Sequence, residues 1–175
     1  GLLIMKKREN LGIKALCDVS KLNSKPDTQS LGFSLGPRIN AGGRIGNSEL
    51  GVNLLKETDE IKSIQLANKL DEFNQKRKFL TVELESKVIG QIEKLKADNN
   101  QITPNMLVIN GSDFHEGIIG VIAAKLSQIF SKPCFVVTES QNLLKCSIRS
   151  QNNIKINKTI NKLIENKLII SGGGH

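Results

Sequence analysis

Apolar residues recur at mostly three- and four-residue steps through the middle of the chain, at Leu66, Leu70, Phe73, Leu80, Leu84, Val88, Ile92 and Leu95. That period lays one apolar stripe along one face of a long helix. A shorter helix is predicted from about Ser48, a good N-cap residue. Thr58 and Asp59 break it and cap the long helix, which Asp98-Asn99-Asn100 and Pro104 bring to an end. At a rise of about 1.5 Å per residue the long helix spans roughly 50 Å or more, the reach of a connector between two domains. Its stripe keeps no sustained a/d heptad, which argues against an intermolecular coiled coil.

The pattern changes after Pro104. Residues 106–110 read as a buried strand, 117–130 as an apolar helix, 134–138 as a second strand after Pro133, and 143–149 as a third strand across a turn at Gln141-Asn142. Ile154, Ile156, Ile160, Leu163 and Ile164 then mark an amphipathic helix. Strands separated by helices predict a small α/β domain. Residues 1–35 are different again. They are short mixed segments broken by Gly12, Gly32 and a polar stretch around Pro26, with too few apolar residues to bury a core alone. They read as the tail of a domain. The chain closes on Ser171-Gly172-Gly173-Gly174-His175, an odd place for a domain to finish. The expected division is therefore 1–47, the tail with a Gly-rich motif; 48–103, connecting helices; and 104–175, the small α/β domain, truncated at its C-terminus.

Composition narrows the function classes. With 38% hydrophobic and 24% charged residues the chain has an ordinary globular profile, and no apolar run is long enough to span a membrane. The first residue is Gly and no signal pattern follows, so a start inside a larger reading frame and a cytoplasmic location are expected. Cys17, Cys134 and Cys146 are odd in number and widely spaced; Cys134 and Cys146 read as buried thiols in a reducing compartment. A net charge of +8 suggests an anionic partner, but twenty of the twenty-five basic residues are Lys, which nucleotide bias can also produce. The five Arg residues carry more information. Arg38, Arg44 and Arg149 lie in Gly- or Ser-rich motifs, and only Arg8 and Arg77 do not. Arg offers phosphate a rigid bidentate fork that Lys cannot copy.

Four motifs carry candidate chemistry. In Pro37-Arg38-Ile39-Asn40-Ala41-Gly42-Gly43-Arg44, two Arg and one Asn sit on a Gly-rich loop before a helix. Small residues let the backbone approach an anion, with Arg38, Asn40 and Arg44 supplying charge and a directional amide. A tight interdomain turn with solvated Arg side chains fits the same letters. In the stretch from Asn110 to Gly120, His115 falls just before a helix start, where phosphate is favoured; a His that only caps the helix is the plainer alternative. In Ser147-Ile148-Arg149-Ser150, strand alternation puts Ser147 and Arg149 on one face, where a guanidinium and a hydroxyl could hold a phosphate. Taken by itself, that segment is read more simply as an exposed edge strand. Gly173, Gly174 and His175 suit a nucleotide pocket or a frayed terminus.

Taken in order, the four motifs resemble the RecJ family of the DHH phosphoesterase superfamily. Its members carry a P-R-I-N-A-x-G-R segment before a long helix, then W-H-x-G-V-I-G, G-S-x-R-S and G-G-H segments. Here these stand as Pro37 to Arg44, Phe114 to Gly120, Cys146 to Ser150 and Gly173 to His175. Phe114 replaces the usual Trp, Cys146 the usual Gly, and Gly42 the common Ala.

The resemblance implies an α/β fold in which a long connecting helix leads to a small mixed-sheet DHH-associated domain, with the tail of a truncated DHH domain at the N-terminus. It implies 5′→3′ hydrolysis of single-stranded DNA with Mn²⁺ or Mg²⁺, in recombination and repair. The metal ligands, including the Asp-His-His signature, lie upstream of the residues present, so this chain is expected to hold no metal and to be inactive alone. Its expected share is the phosphate-binding wall: His115, Ser147, Arg149, Ser150, Gly173, Gly174 and His175 on one side, and Arg38, Asn40 and Arg44 on the other, converging on one cleft. Single-stranded DNA is the expected partner, with a separately encoded DHH metal domain as a further one. A phosphodiesterase of short oligonucleotides or cyclic dinucleotides remains an alternative, as does a non-enzymatic relic or accessory subunit of a split gene.

Overall fold

The computed structural model describes residues 1–97, 105–151 and 154–174, with the side chains of 95–97 left aside. The helix end expected at Asp98-Asn99-Asn100 and Pro104, the Leu95 side chain and His175 lie outside the described residues. The chain forms two compact units, Gly1–Leu84 and Glu85–His175, and the division falls inside the long helix.

The first unit is helical. It contains α1 (Leu2–Lys7), α2 (Leu11–Val19), α3 (Thr28–Ser30), a π-helical turn (Leu31–Leu35), α4 (Gly36–Ile45), α5 (Glu49–Lys56) and the first turns of α6 (Glu60–Ala97). Its core draws on four of these: Ala15, Leu16 and Cys17 from α2, Leu35 from the π turn, Leu54 from α5, and Ala67 and Leu70 from α6. Residues 1–35 thus gain a core only by packing on α5 and α6. Each fully buried leucine contributes about 1.5–3 kcal/mol. Asn10 caps α2, accepting from the Ile13 N–H at 2.9 Å, and its amide donates to the Leu55 carbonyl of α5 at 2.9 Å. Asp59 caps α6 as predicted, accepting from the Lys62 N–H at 2.8 Å.

The Gly-rich loop expected before Ser48 is instead helix α4. Pro37 stands in the first turn, where a missing N–H is tolerated, and the wider turn Leu31–Leu35 precedes it. Ala41 and Gly42 are buried, and that packing overrides the roughly 1 kcal/mol that each helical glycine costs.

The second unit holds a three-stranded mixed sheet in the order β1-β2-β3. β1 (Leu107–Asn110) pairs parallel to β2 (Cys134–Ser140), which pairs antiparallel to β3 (Leu143–Arg149). The parallel pair is joined by α7 (Glu116–Phe130), and α8 (Ile156–Glu165) follows the sheet. Gln141 and Asn142 both take positive φ, 53° and 60°, the conformation of a two-residue hairpin loop. Ile118, Ile119, Ile122, Ala123 and Leu126 of α7 are buried, as are Leu107, Ile109, Cys134 and Val136 of the sheet face beneath. On the other face Val108 is 50% and Leu144 78% exposed.

Cys134 is buried as expected, and burial pushes its thiol pKa up to about 11. Cys146 is not: it is exposed. Its register opposite Val137 puts it on the outer face, while Ser147, opposite buried Val136, turns to the α7 face. Cys146 therefore leaves the space around the Ser147 hydroxyl clear. No helix among the described residues is long and apolar enough to cross a membrane.

Candidate functional site

In the first unit, the helical twist of α4 separates the residues of the first motif. At about 100° per residue, Asn40 and Arg44 share one face, whereas Arg38 points well over 100° away from both. Asn40 and Arg44 are exposed. Arg38 is committed to the fold: its Nε donates to Asp71 Oδ1 of α6 at 2.8 Å and its Nη1 to the Ser34 carbonyl at 2.8 Å. The glycines serve the same packing. A Cβ on Gly42 would stand 2.8 Å from the Asn47 carbonyl oxygen and 3.2 Å from Leu70 Cδ2, and one on Gly46 would enter the Phe73 ring. The end of α4 can lie this close to α6 only without side chains at those two positions.

The turn of α6 beneath this contact carries two residues that the hydrophobic pattern passed over. Ser63, Ala67, Leu70 and Asn74 are buried, and Arg77 continues the same three- and four-residue spacing, half-buried. The apolar letters Phe73 and Leu80 drew the expected stripe one step to the side. Continuing the spacing from Ala67 and Leu70, rather than following hydrophobicity alone, leads to Asn74 and Arg77. Burial lowers the Arg77 pKa, and the nearby Arg44 guanidinium lowers it further.

In the second unit the loop after β1 is pinned from below. Phe114 is buried against Gly111, and the Thr138 hydroxyl donates to the Phe114 carbonyl at 2.6 Å. From α6, Lys87 pairs with Asp113 at 2.6 Å and Gln91 donates to the Asn110 carbonyl at 3.1 Å. His115 follows as the N-cap of α7, its Nδ1 accepting from the Gly117 N–H at 3.1 Å. In the neutral imidazole this leaves Nε2 as the donor. Glu116 pairs with Lys145 of β3. That hydrogen bond, with a second from Ser140, holds the Glu116 carboxyl below its ordinary range.

One turn further along α7, Gly120 faces Ser147 and Arg149. A Cβ there would stand 3.1 Å from Ser147 Oγ and 3.7 Å from Arg149 Nη2. Lys145, Ser147 and Arg149 alternate onto this face, so a hydroxyl and two cations line up along β3 beside the first turns of α7. Arg149 Nη1 donates to the Ile148 carbonyl at 2.8 Å, and its side chain stays exposed. Ser150 turns aside, its hydroxyl 3.4 Å from the Ile154 carbonyl. Gly173 and Gly174 are exposed, and a side chain at either would meet nothing within 4 Å.

Among the described residues no three His, Cys, Asp or Glu side chains are grouped to hold a metal ion. The donors gathered along β3 are guanidinium, ammonium and hydroxyl, which suit an anion and do not fit Mn²⁺ or Mg²⁺.

Comparison with known proteins defines the class. Residues 103–175, the stretch that holds the sheet and its helices, match the DHHA1 domain family. The whole chain is RecJ-like. It is 31% identical over 180 residues to the single-stranded-DNA-specific exonuclease RecJ of Haemophilus influenzae, an alignment covering 100% of this chain and 31% of that protein. To RecJ of Escherichia coli it is 30% identical over 168 residues, covering 94% of this chain and 29% of that one. The crystal structure of Thermus thermophilus RecJ in complex with Mg²⁺ has the same fold, with a TM-score of 0.82 at 22% identity over 100% of this chain and 26% of that one. A further RecJ crystal structure, bound to manganese, gives a TM-score of 0.78 at 23% identity. The chain spans about a third of the length of these curated relatives.

Proposed function

We propose that this chain supplies the nucleic-acid-holding part of a single-stranded-DNA 5′→3′ exonuclease of the RecJ kind. The carrying observation is the row on β3: Ser147 and Arg149 lie side by side against Gly120, whose lack of a side chain lets them come this close to the first turns of α7. Arg149 offers two parallel N–H donors and Ser147 a hydroxyl, while Lys145 and the first turn of α7 add positive potential. His115 Nε2–H stands at the same helix end. Gly173 and Gly174, which no packing requires to be glycine, suit a close-fitting ligand. Asn40 and Arg44 present an amide and a charge from the outward face of α4.

In this reading the chain grips the strand, and metal-assisted hydrolysis belongs to a DHH domain carried by a longer protein or by a separate chain. The test is fluorescence anisotropy with a 5′-phosphorylated oligo(dT). Arg149→Ala is expected to weaken binding roughly tenfold, the value of a charge-assisted contact, while Lys162→Ala changes it little. Equal losses would reduce the binding to non-specific lysine electrostatics. Incubating the pure chain with Mn²⁺ and the same oligonucleotide should yield no mononucleotides; steady release would overturn the division of labour.

A further inference from the structure

Glu116 opens α7 with a negative charge on the face that meets the cations of β3. It is the first residue of the helix, where the unpaired N–H groups offer positive potential, and its carboxylate takes that potential up. The same carboxylate accepts from Lys145 Nζ. Lys145 lies on the strand face that carries Ser147 and Arg149. Glu116 therefore offsets two of the features that favour an anion beside β3. Its carboxyl is held below the ordinary range by Lys145 and Ser140, so it is charged at neutral pH.

Register sets how close the carboxylate stands to the row. Glu116 and Gly120 are four residues apart on α7 and share one face, about 6 Å apart along the axis. Gly120 meets Ser147 and Arg149, and Glu116, one turn earlier, meets Lys145. A phosphate held by Ser147 and Arg149 thus lies about one helical turn from the carboxylate, inside the screening length of about 8 Å at physiological salt. The neighbouring carboxylates are placed differently. Asp113 pairs with Lys87 of α6 at 2.6 Å. Glu139 is exposed on β2 and, next to buried Thr138, alternates to the other face of the sheet. The Lys145 and Glu116 side chains are 40% and 43% exposed, open enough for the long lysine to change partner.

We propose that Glu116 is a specificity-determining residue of the β3 row: its carboxylate competes with phosphate for Lys145, and Lys145 passes from Glu116 to the phosphate when an anionic strand binds. The grip is then weaker than guanidinium, hydroxyl and a free ammonium would give together. A moderated grip suits a strand that is released and seated again as it shortens. The inference rests on the reading given under Proposed function, which puts the phosphate on β3.

Binding of 5′-phosphorylated oligo(dT) to the full chain tests it. Glu116→Gln keeps the shape and removes the charge. It is expected to tighten binding roughly three- to fivefold, the size of one exposed charge interaction. The salt slope should steepen by about one, because Lys145 then starts unpaired and its contact releases a counterion. Unchanged or weaker binding would overturn the inference. Glu139→Gln makes the same change in net charge on the opposite face and is expected to alter affinity little. An equal gain from it would reduce the effect to net charge and remove the role of Glu116. The second measurement needs no variant. In an NMR titration of the wild-type chain with inorganic phosphate at constant ionic strength, the Glu116 carboxyl carbon and the Lys145 Cε signals should shift saturably together. A Glu116 signal that stays put would refute the exchange of partners. Arg149→Ala separates this inference from the reading beneath it. If Arg149→Ala weakens binding and Glu116→Gln does not tighten it, the inference falls and the β3 reading stands. If Glu116→Gln tightens binding while Arg149→Ala binds normally, the Arg149 contact falls and the competition for Lys145 stands.

Discussion

The two halves of α6 do opposite things with the same helix. In its C-terminal half the buried positions are Leu84, Val88 and Ile92, all aliphatic. In its N-terminal half they are Ser63, Ala67, Leu70 and Asn74, with Arg77 half-buried at the next step. The aliphatic half is simple packing. The other half uses small residues to let α4 approach, then places polar groups where the approach occurs. Buried polar atoms without partners are unfavourable, and among the described residues Ser63 Oγ, Asn74 Oδ1 and Arg77 Nε on this half are such atoms, as is Ser127 Oγ of α7. The contrast teaches that one helix can pack by aliphatic contact alone at one end and bury polar side chains beneath a second helix at the other.

Substitutions that exchange the characters of the two halves sharpen or break the contrast. The largest effect is expected from Val88→Asn, which buries an amide where the site supplies only apolar neighbours. It should lose about 3 kcal/mol in urea unfolding. A neutral outcome would remove the distinction between the halves. Gly42→Ala follows, with an expected loss of about 1–3 kcal/mol, because its methyl meets the Asn47 carbonyl, backbone that cannot swing aside. An unchanged midpoint would show that α4 does not depend on that close approach. Asn74→Leu should gain about 1 kcal/mol by removing an unpartnered oxygen. A loss of stability there would make the polar half structural.

The smallest effect concerns pH. The Glu116 carboxyl is held below its ordinary range by Lys145 and Ser140, so the pair contributes fully above the ordinary carboxylate pKa. That contribution is lost as the pH falls through the lowered folded value. Glu116→Gln should therefore flatten the acid limb of the unfolding midpoint and leave neutral pH little changed. A steeper acid limb in the variant would contradict the pairing.

Much of this protein was legible in its letters. The long helix followed from its apolar spacing, and its cap from Asp59. The three strands and their connecting helix followed from short apolar runs punctuated by Pro133 and the Gln141-Asn142 turn. These are local properties, set by backbone propensity and side-chain period. The four motifs, read in order, led to the RecJ resemblance that the comparisons then supported. Tertiary structure decided what no local pattern encodes. It made α4 a helix despite its paired glycines, because burial of Ala41 and Gly42 against neighbours outweighs the weak helix propensity of glycine. It turned Arg38 inward to Asp71, thirty-three positions away in the chain, and left Cys146 on the open face of an edge strand. It also carried the buried stripe of α6 onto Asn74 and Arg77. A partner that distant in sequence leaves no periodic trace, so its charge and shape enter only when the chain has folded.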